Sequence, residues 1–148
     1  MGLFETINTD IKNAMLAKEK EKLEALRSVK AAFMVAKTEK GNSELTEEKE
    51  ITIVQKLVKQ RIDTAEVYKQ NNRPELAEKE ESEAAIISVY LPKQLGQEEI
   101  TAEVKAIIEQ TGASSMKDMG KVMGMASKKL AGKADGKIIS GIVKQMLG

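Results

Sequence analysis

The chain has 148 residues, 41% hydrophobic and 32% charged, with a formal net charge of +1. That is enough for one compact domain or two small ones. The absence of cysteine and histidine excludes disulfides, thiolate metal sites and the usual general base. The first twenty residues mix charges with apolar positions, unlike a secretory leader, and no apolar run approaches the ~18 residues of a membrane span. The composition therefore predicts a soluble, cytoplasmic protein with no membrane partner.

Helical periodicity runs almost throughout and no stretch shows sustained alternation, which predicts an all-α, multihelical fold. Leu3, Ile7, Ile11 and Ala14 or Met15 line the first helix. Leu23, Leu26, Val29 and Phe33 line the second, which ends before Gly41-Asn42-Ser43. Thr46 is placed to cap the third, with Glu47, Glu48 and Glu50 near the positive end of its dipole. Its stripe is Ile51, Val54, Val58, Ile62 and Ala65, and it stops near Asn71-Asn72. Pro74 reads as the first residue of the fourth helix, where a missing N–H costs nothing. That helix buries Leu76, Ala84, Ile87 and Leu91 and ends before Pro92, because the residue preceding a proline avoids the α region.

The segment 92–97 is the boundary, giving an N-terminal subdomain over 1–92 and a basic C-terminal subdomain over 93–148. Ile100, Val104, Ile107 and Ile108 mark a fifth helix, with Gly112 as its left-handed stop. Ser115-Met-Lys-Asp118 has the form of a capping box. It opens a helix with Met116, Met119, Met123, Ala126 and Leu130 on its core face, closed by Gly132. Asp135 caps a last helix that buries Ile139, Ile142, Val143 and Met146.

Charge is unevenly spread. Residues 112–148 hold seven lysines and two aspartates, net +5, while residues 1–111 hold 17 basic and 21 acidic residues, net −4. Such asymmetry suggests a polyanion-facing end; a basic solvated face with no partner is the bland alternative. Between Met119 and Lys137, four glycines sit among five lysines. Each glycine inside a helix costs about 1 kcal/mol against alanine, so their repetition points to close backbone approach. At 100° per residue, Lys117, Lys121, Gly124 and Lys128 fall within about 60° of one another, opposite the apolar stripe, with Gly120 at the edge. Lys137, Gly141 and Lys144 make a second strip. A phosphate chain fits such a low cationic surface; so does a packed helix, since Gly-x-x-x-Gly spacing permits both.

The turn Gly132-Lys133-Ala-Asp135-Gly136-Lys137 sets lysines around a helix N-terminus, where N–H groups and the dipole favour anions. It lacks Walker A spacing. The candidate RNA-binding residues are Lys117, Gly120, Lys121, Gly124, Lys128, Gly132, Lys133, Gly136, Lys137 and Lys144. The aromatics Phe4, Phe33, Tyr68 and Tyr90 lie outside this segment. With no stacking platform, any RNA contact is expected to be to backbone and shape. Ser114, Ser115 and Lys117 allow a Ser–Lys pair on paper, but capping explains the serines. The acidic run Glu78–Glu83 lacks histidine and a calcium loop, and reads as a solvated helix face. No catalytic, cofactor or metal site is assigned.

Asp118-Met-Gly-Lys-Val-Met-Gly124 and Gly132-Lys-Ala-Asp-Gly136 resemble the signature of the GatB/YqeY family. Asn72-Arg-Pro-Glu-Leu-Ala-Glu-Lys-Glu80 and Tyr90-Leu-Pro-Lys-Gln-Leu95 are similar to YqeY proteins in particular. The resemblance spans nearly the whole chain; Gly96 departs from it where relatives often have a capping serine. It implies an all-helical fold of two subdomains, the second a small bundle. It also implies kinship with the tail domain of GatB, a component of the tRNA-dependent amidotransferase. That tail grips tRNA while glutamine hydrolysis and amide transfer occur elsewhere. The function this implies is a chain non-catalytic on its own that binds tRNA or another structured RNA, accessory to tRNA amidation or aminoacylation, with a tRNA-processing protein as partner. One alternative is a protein-interaction module in which helices at 19–40 and 47–72 form a docking hairpin. Another is a component linked to carbon–nitrogen ligase activity with glutamine as amido donor.

Overall fold

The computed structural model describes residues 2–39, 41 and 44–148; the expected loop residues Asn42 and Ser43 lie outside them. The described residues form seven α-helices and one 3-10 turn, with no strand. The all-α expectation holds. By internal contact the chain divides into two compact units, Met1–Leu91 and Pro92–Gly148.

The first unit holds α1 (Leu3–Leu16), α2 (Lys20–Glu39), α3 (Glu47–Gln70) and α4 (Pro74–Ser88). Its core joins Ile7 and Ala14 of α1, Leu26, Val29 and Phe33 of α2, Val54 of α3 and Ile87 of α4. Full burial of Phe33 alone is worth roughly 1.5–3 kcal/mol. The Thr46 hydroxyl accepts from the Lys49 N–H at 3.1 Å, the expected cap of α3. The start of α1 is capped from a distance. Gly2 has no side chain to offer, and the Phe4 N–H donates instead to the carboxylate of Glu50, 46 residues on in α3, at 3.0 Å. Glu50 is the buried charged residue of the described chain.

The hairpin of 19–40 with 47–72 that the protein-interaction alternative draws on is not the main pairing among the described residues. Here α2 packs chiefly on α1 and α3 chiefly on α4. On the paired helices α3 and α4 the small residues Ala65 and Ala77 are buried, at 2% and 1% exposure, whereas Ile62 and Leu76, expected inside, are exposed. Met15 is likewise outside, and Ala14 takes the core position.

The second unit holds α5 (Gln97–Thr111), a 3-10 turn (Met116–Asp118), α6 (Met119–Lys129) and α7 (Gly136–Leu147). Ile100, Val104 and Ile107 of α5 meet Val122 and Ala126 of α6, Leu130, and Ile139, Ile142 and Val143 of α7. Two core assignments shift phase. On α6 the fully buried set is Val122, Ala126 and Leu130, while Met116 is exposed and Met119 and Met123 pack only at the edge. On α7 Leu147, not Met146, is buried.

Candidate nucleic-acid interface

The Ser115 hydroxyl accepts from the Lys117 N–H, and the Asp118 carboxylate accepts from the N–H groups of Ser114 and Ser115. The Ser115 hydroxyl therefore serves as the cap of the turn, to which Ser114 contributes its main-chain N–H. This box opens the 3-10 turn, and α6 begins only at Met119. Lys117 consequently precedes the α-helical wheel that the spacing predicts for it. Lys121, Gly124 and Lys128 remain on one face of α6, opposite Val122, Ala126 and Leu130.

On α7 the same geometry recurs. Lys137, Gly141 and Lys144 lie on one face, opposite buried Ile139, Ile142 and Val143. The side chains of Lys117, Lys121, Lys128, Lys133, Lys137 and Lys144 are exposed, and none forms an ion pair among the described residues. Lys129 is different: its ammonium meets Glu103 of α5 at 2.7 Å, which ties α6 to α5.

The glycines bear on one of the two readings of the strip, that of a packed helix. Gly120, Gly124, Gly136 and Gly141 are exposed, and a methyl group placed on any of them meets no atom of a neighbouring segment within 4 Å. Within this unit, then, they are not helix-packing contacts. They are low, open surface beside lysines. Gly132 is the exception among the ten sequence candidates. It is buried, its φ of 77° closes the turn after α6, and its carbonyl accepts from the Gln94 amide at 2.7 Å. It shapes the turn and offers no face to a ligand.

The start of α7 is built as expected, with Asp135 as its cap. The Asp135 carboxylate accepts from the Lys137 N–H at 3.2 Å, so a carboxylate already occupies the positive end of the helix. The lysine side chains, not the helix terminus, are the available cationic groups.

Periodicity gives no sign of the segment that positions α7. The Leu95 N–H donates to the Lys133 carbonyl at 2.9 Å, and the Gln94 amide reaches the Pro92 and Gly132 carbonyls. This clamp sets the start of α7 beside the start of α5. It leaves an open groove of about 420 Å³ lined by Leu95, Gln97, Ile100, Lys137, Ile138, Gly141, Ile142 and Gln145. Among the described residues no group of three or more carboxylates is arranged to hold a metal ion, and no helix is long and apolar enough to cross a membrane.

The sequence matches the family model described as Yqey-like protein over residues 4–147. Among curated relatives it is similar to proteins named altered inheritance of mitochondria protein 41, mitochondrial. The one from Vanderwaltozyma polyspora is 31% identical over 76% of this chain and 64% of its own length. The one from Pyrenophora tritici-repentis is 28% identical over 96% and 79%, and the one from Clavispora lusitaniae 33% over 61% and 52%. The chain thus spans between about half and four-fifths of the relatives it matches. Their names overturn the expectation of a cytoplasmic location. The charge pattern of the first twenty residues reflects the packing of α1 and does not report location.

Proposed function

The chain belongs to the YqeY-like protein family, and from that premise we propose that it is a non-catalytic binder of structured RNA, with tRNA as the favoured ligand. Lys121, Gly124 and Lys128 on α6 and Lys137, Gly141 and Lys144 on α7 are the contacting strips, with Lys117, Gly120, Lys133 and Gly136 flanking them. The observation that carries this reading is the open state of the glycines. A helix accepts a glycine at a cost of about 1 kcal/mol, and here no packed neighbour accounts for it. A surface without Cβ atoms beside unpaired ammonium groups is what a sugar–phosphate strand needs in order to approach. Resemblance to the tRNA-gripping tail of GatB supports a place beside tRNA amidation or aminoacylation. The amide-transfer chemistry itself is assigned to other proteins.

Filter binding of bulk tRNA tests this. Neutralising about four phosphates gives a log–log salt slope of about −3 to −4, and affinity falls roughly a hundredfold between 50 and 200 mM salt. Absence of binding at tens of micromolar protein in low salt would sink the proposal. Purified chain alone is expected to show no glutaminase activity.

A further inference from the structure

We propose that the groove at the start of α7 holds one unpaired nucleotide of the bound RNA, with its base on the aliphatic floor and its phosphate at Lys137. This inference rests on the RNA-binding reading and deepens it from backbone contact to selection of unpaired sites. Three features of the groove argue for that occupant.

The first is continuity. Lys137 and Gly141 belong at once to the cationic strip of α7 and to the groove wall. From the strip, the surface of α7 turns through Gln145 and Ile138 to Ile142, all of which line the groove. A strand lying along the strip passes the groove mouth. The second is chemistry. Ile100 and Ile142, at 2% and 5% exposure, make an apolar floor, and Ile138 is a half-exposed wall. Gln97 and Gln145 stand at the rim, and each amide offers both donors and an acceptor, as a base edge requires. The lining carries one ammonium and no carboxylate. The third is size. About 420 Å³ lies at the lower end of small-molecule sites. It suits one nucleotide, whereas a partner helix about 10–12 Å across demands a longer trough.

Recognition of single-stranded loops through splayed bases is a general route to RNA selectivity. It does not require an aromatic platform if an aliphatic face and amide groups serve instead.

The test compares bulk tRNA with a blunt RNA duplex of equal phosphate count, using the full chain. The wild type is expected to hold tRNA about tenfold tighter than the duplex. Ile138→Ala removes the half-exposed apolar wall from a position outside the cationic strips, and alanine favours the helix. Together with Gln145→Ala, an exposed rim change, it is expected to cut tRNA affinity toward the duplex level while leaving duplex affinity and both salt slopes unchanged. Gln145→Ala alone is expected to lose a smaller part of the tRNA preference. An equal loss on both RNAs from the double variant, or no loss on either, overturns the groove proposal while leaving RNA binding in place. If the wild type binds neither RNA, the underlying reading fails first and the groove proposal with it.

Discussion

The two units use charge in opposite ways. In the first, charged and polar side chains are turned on one another. Arg61 spans three helices: its guanidinium meets Glu83 at 3.3 Å, donates to the Ser28 hydroxyl at 2.7 Å and reaches the Leu57 carbonyl. Lys69 pairs with Glu81 at 2.6 Å, and Lys37 lies 4.0 Å above the Phe4 ring. Glu50 caps α1 and Tyr90 donates to Asp10 at 2.5 Å. In the second unit only the Lys129–Glu103 pair joins helices, and six lysines face outward without a carboxylate partner among the described residues. Named charges of the first unit hold helices together, whereas the lysine strips of the second have no such part among the described residues; the RNA reading proposed above rests on that contrast.

The sharpest test of that contrast is the triple variant Lys121→Ala, Lys128→Ala, Lys137→Ala. It is expected to weaken tRNA binding about a hundredfold at low salt and to flatten the salt slope by about 2 to 3. Its unfolding free energy should change by less than about 0.5 kcal/mol, as for surface positions without partners. A large drop in melting temperature would break the comparison, because it would make those lysines part of the fold.

Arg61→Ala tests the other side. Arg61 and Glu83 side chains are only 15% and 13% exposed, so removing one leaves a largely buried carboxylate without its counter-charge. A loss of about 2–3 kcal/mol is expected in denaturant unfolding, with tRNA affinity unchanged. A loss near zero would mean that water replaces the guanidinium without cost.

Tyr90 adds a pH signature. Burial first, and then the hydrogen bond to Asp10, hold its phenol above the ordinary value of 10.0. The stabilisation is fully present below pH 10. Above it the unfolded chain loses the phenolic proton while the folded chain keeps it, so stability falls as pH rises toward the raised folded pKa. Tyr90→Phe is expected to cost about 1–2 kcal/mol at neutral pH and to remove that alkaline decline. An unaltered alkaline limb in the variant would place the decline on the lysines instead.

Local chemistry is legible in the chain. Thr46, Pro74 and Asp135 start helices as their side chains dictate, and Gly112 ends one in the left-handed region with φ 71°. The exposed lysine and glycine strips are also readable, because a wheel places them opposite the apolar residues. Helix phase is less so. Ala65 is buried as its stripe expects, but ranking apolar positions by size also favours Ile62, Leu76 and Met146, which are exposed, over Ala77 and Leu147, which are buried. The groove is not legible at all. It depends on the Gln94 amide and the Leu95 N–H gripping main-chain carbonyls about 38 residues away, and bonds to backbone leave no pattern in side-chain identity.

The units differ, finally, in how they turn corners. In the second, the left-handed positions belong to glycines, Gly112 and Gly132. In the first, Gly41 takes such a position at φ 70°, but α1 ends with Lys18 at φ 57° and α3 with Asn72 at φ 62°. Both first-unit ends are Schellman closures: Glu19 N–H donates to the Ala14 carbonyl and Lys18 N–H to that of Met15, and Arg73 and Asn72 do the same to Tyr68 and Lys69. Asparagine tolerates that backbone; in a lysine the clash of its Cβ costs about 1 kcal/mol. Lys18→Gly should relieve the clash but loosen the unfolded chain, for a net gain of about 0.5 kcal/mol. Gly112→Ala should lose about 1 kcal/mol by introducing the same clash into the second unit. Opposite signs at these two positions locate the difference in the backbone. Equal signs would mean that the Lys18 side chain contributes something its exposed position does not show.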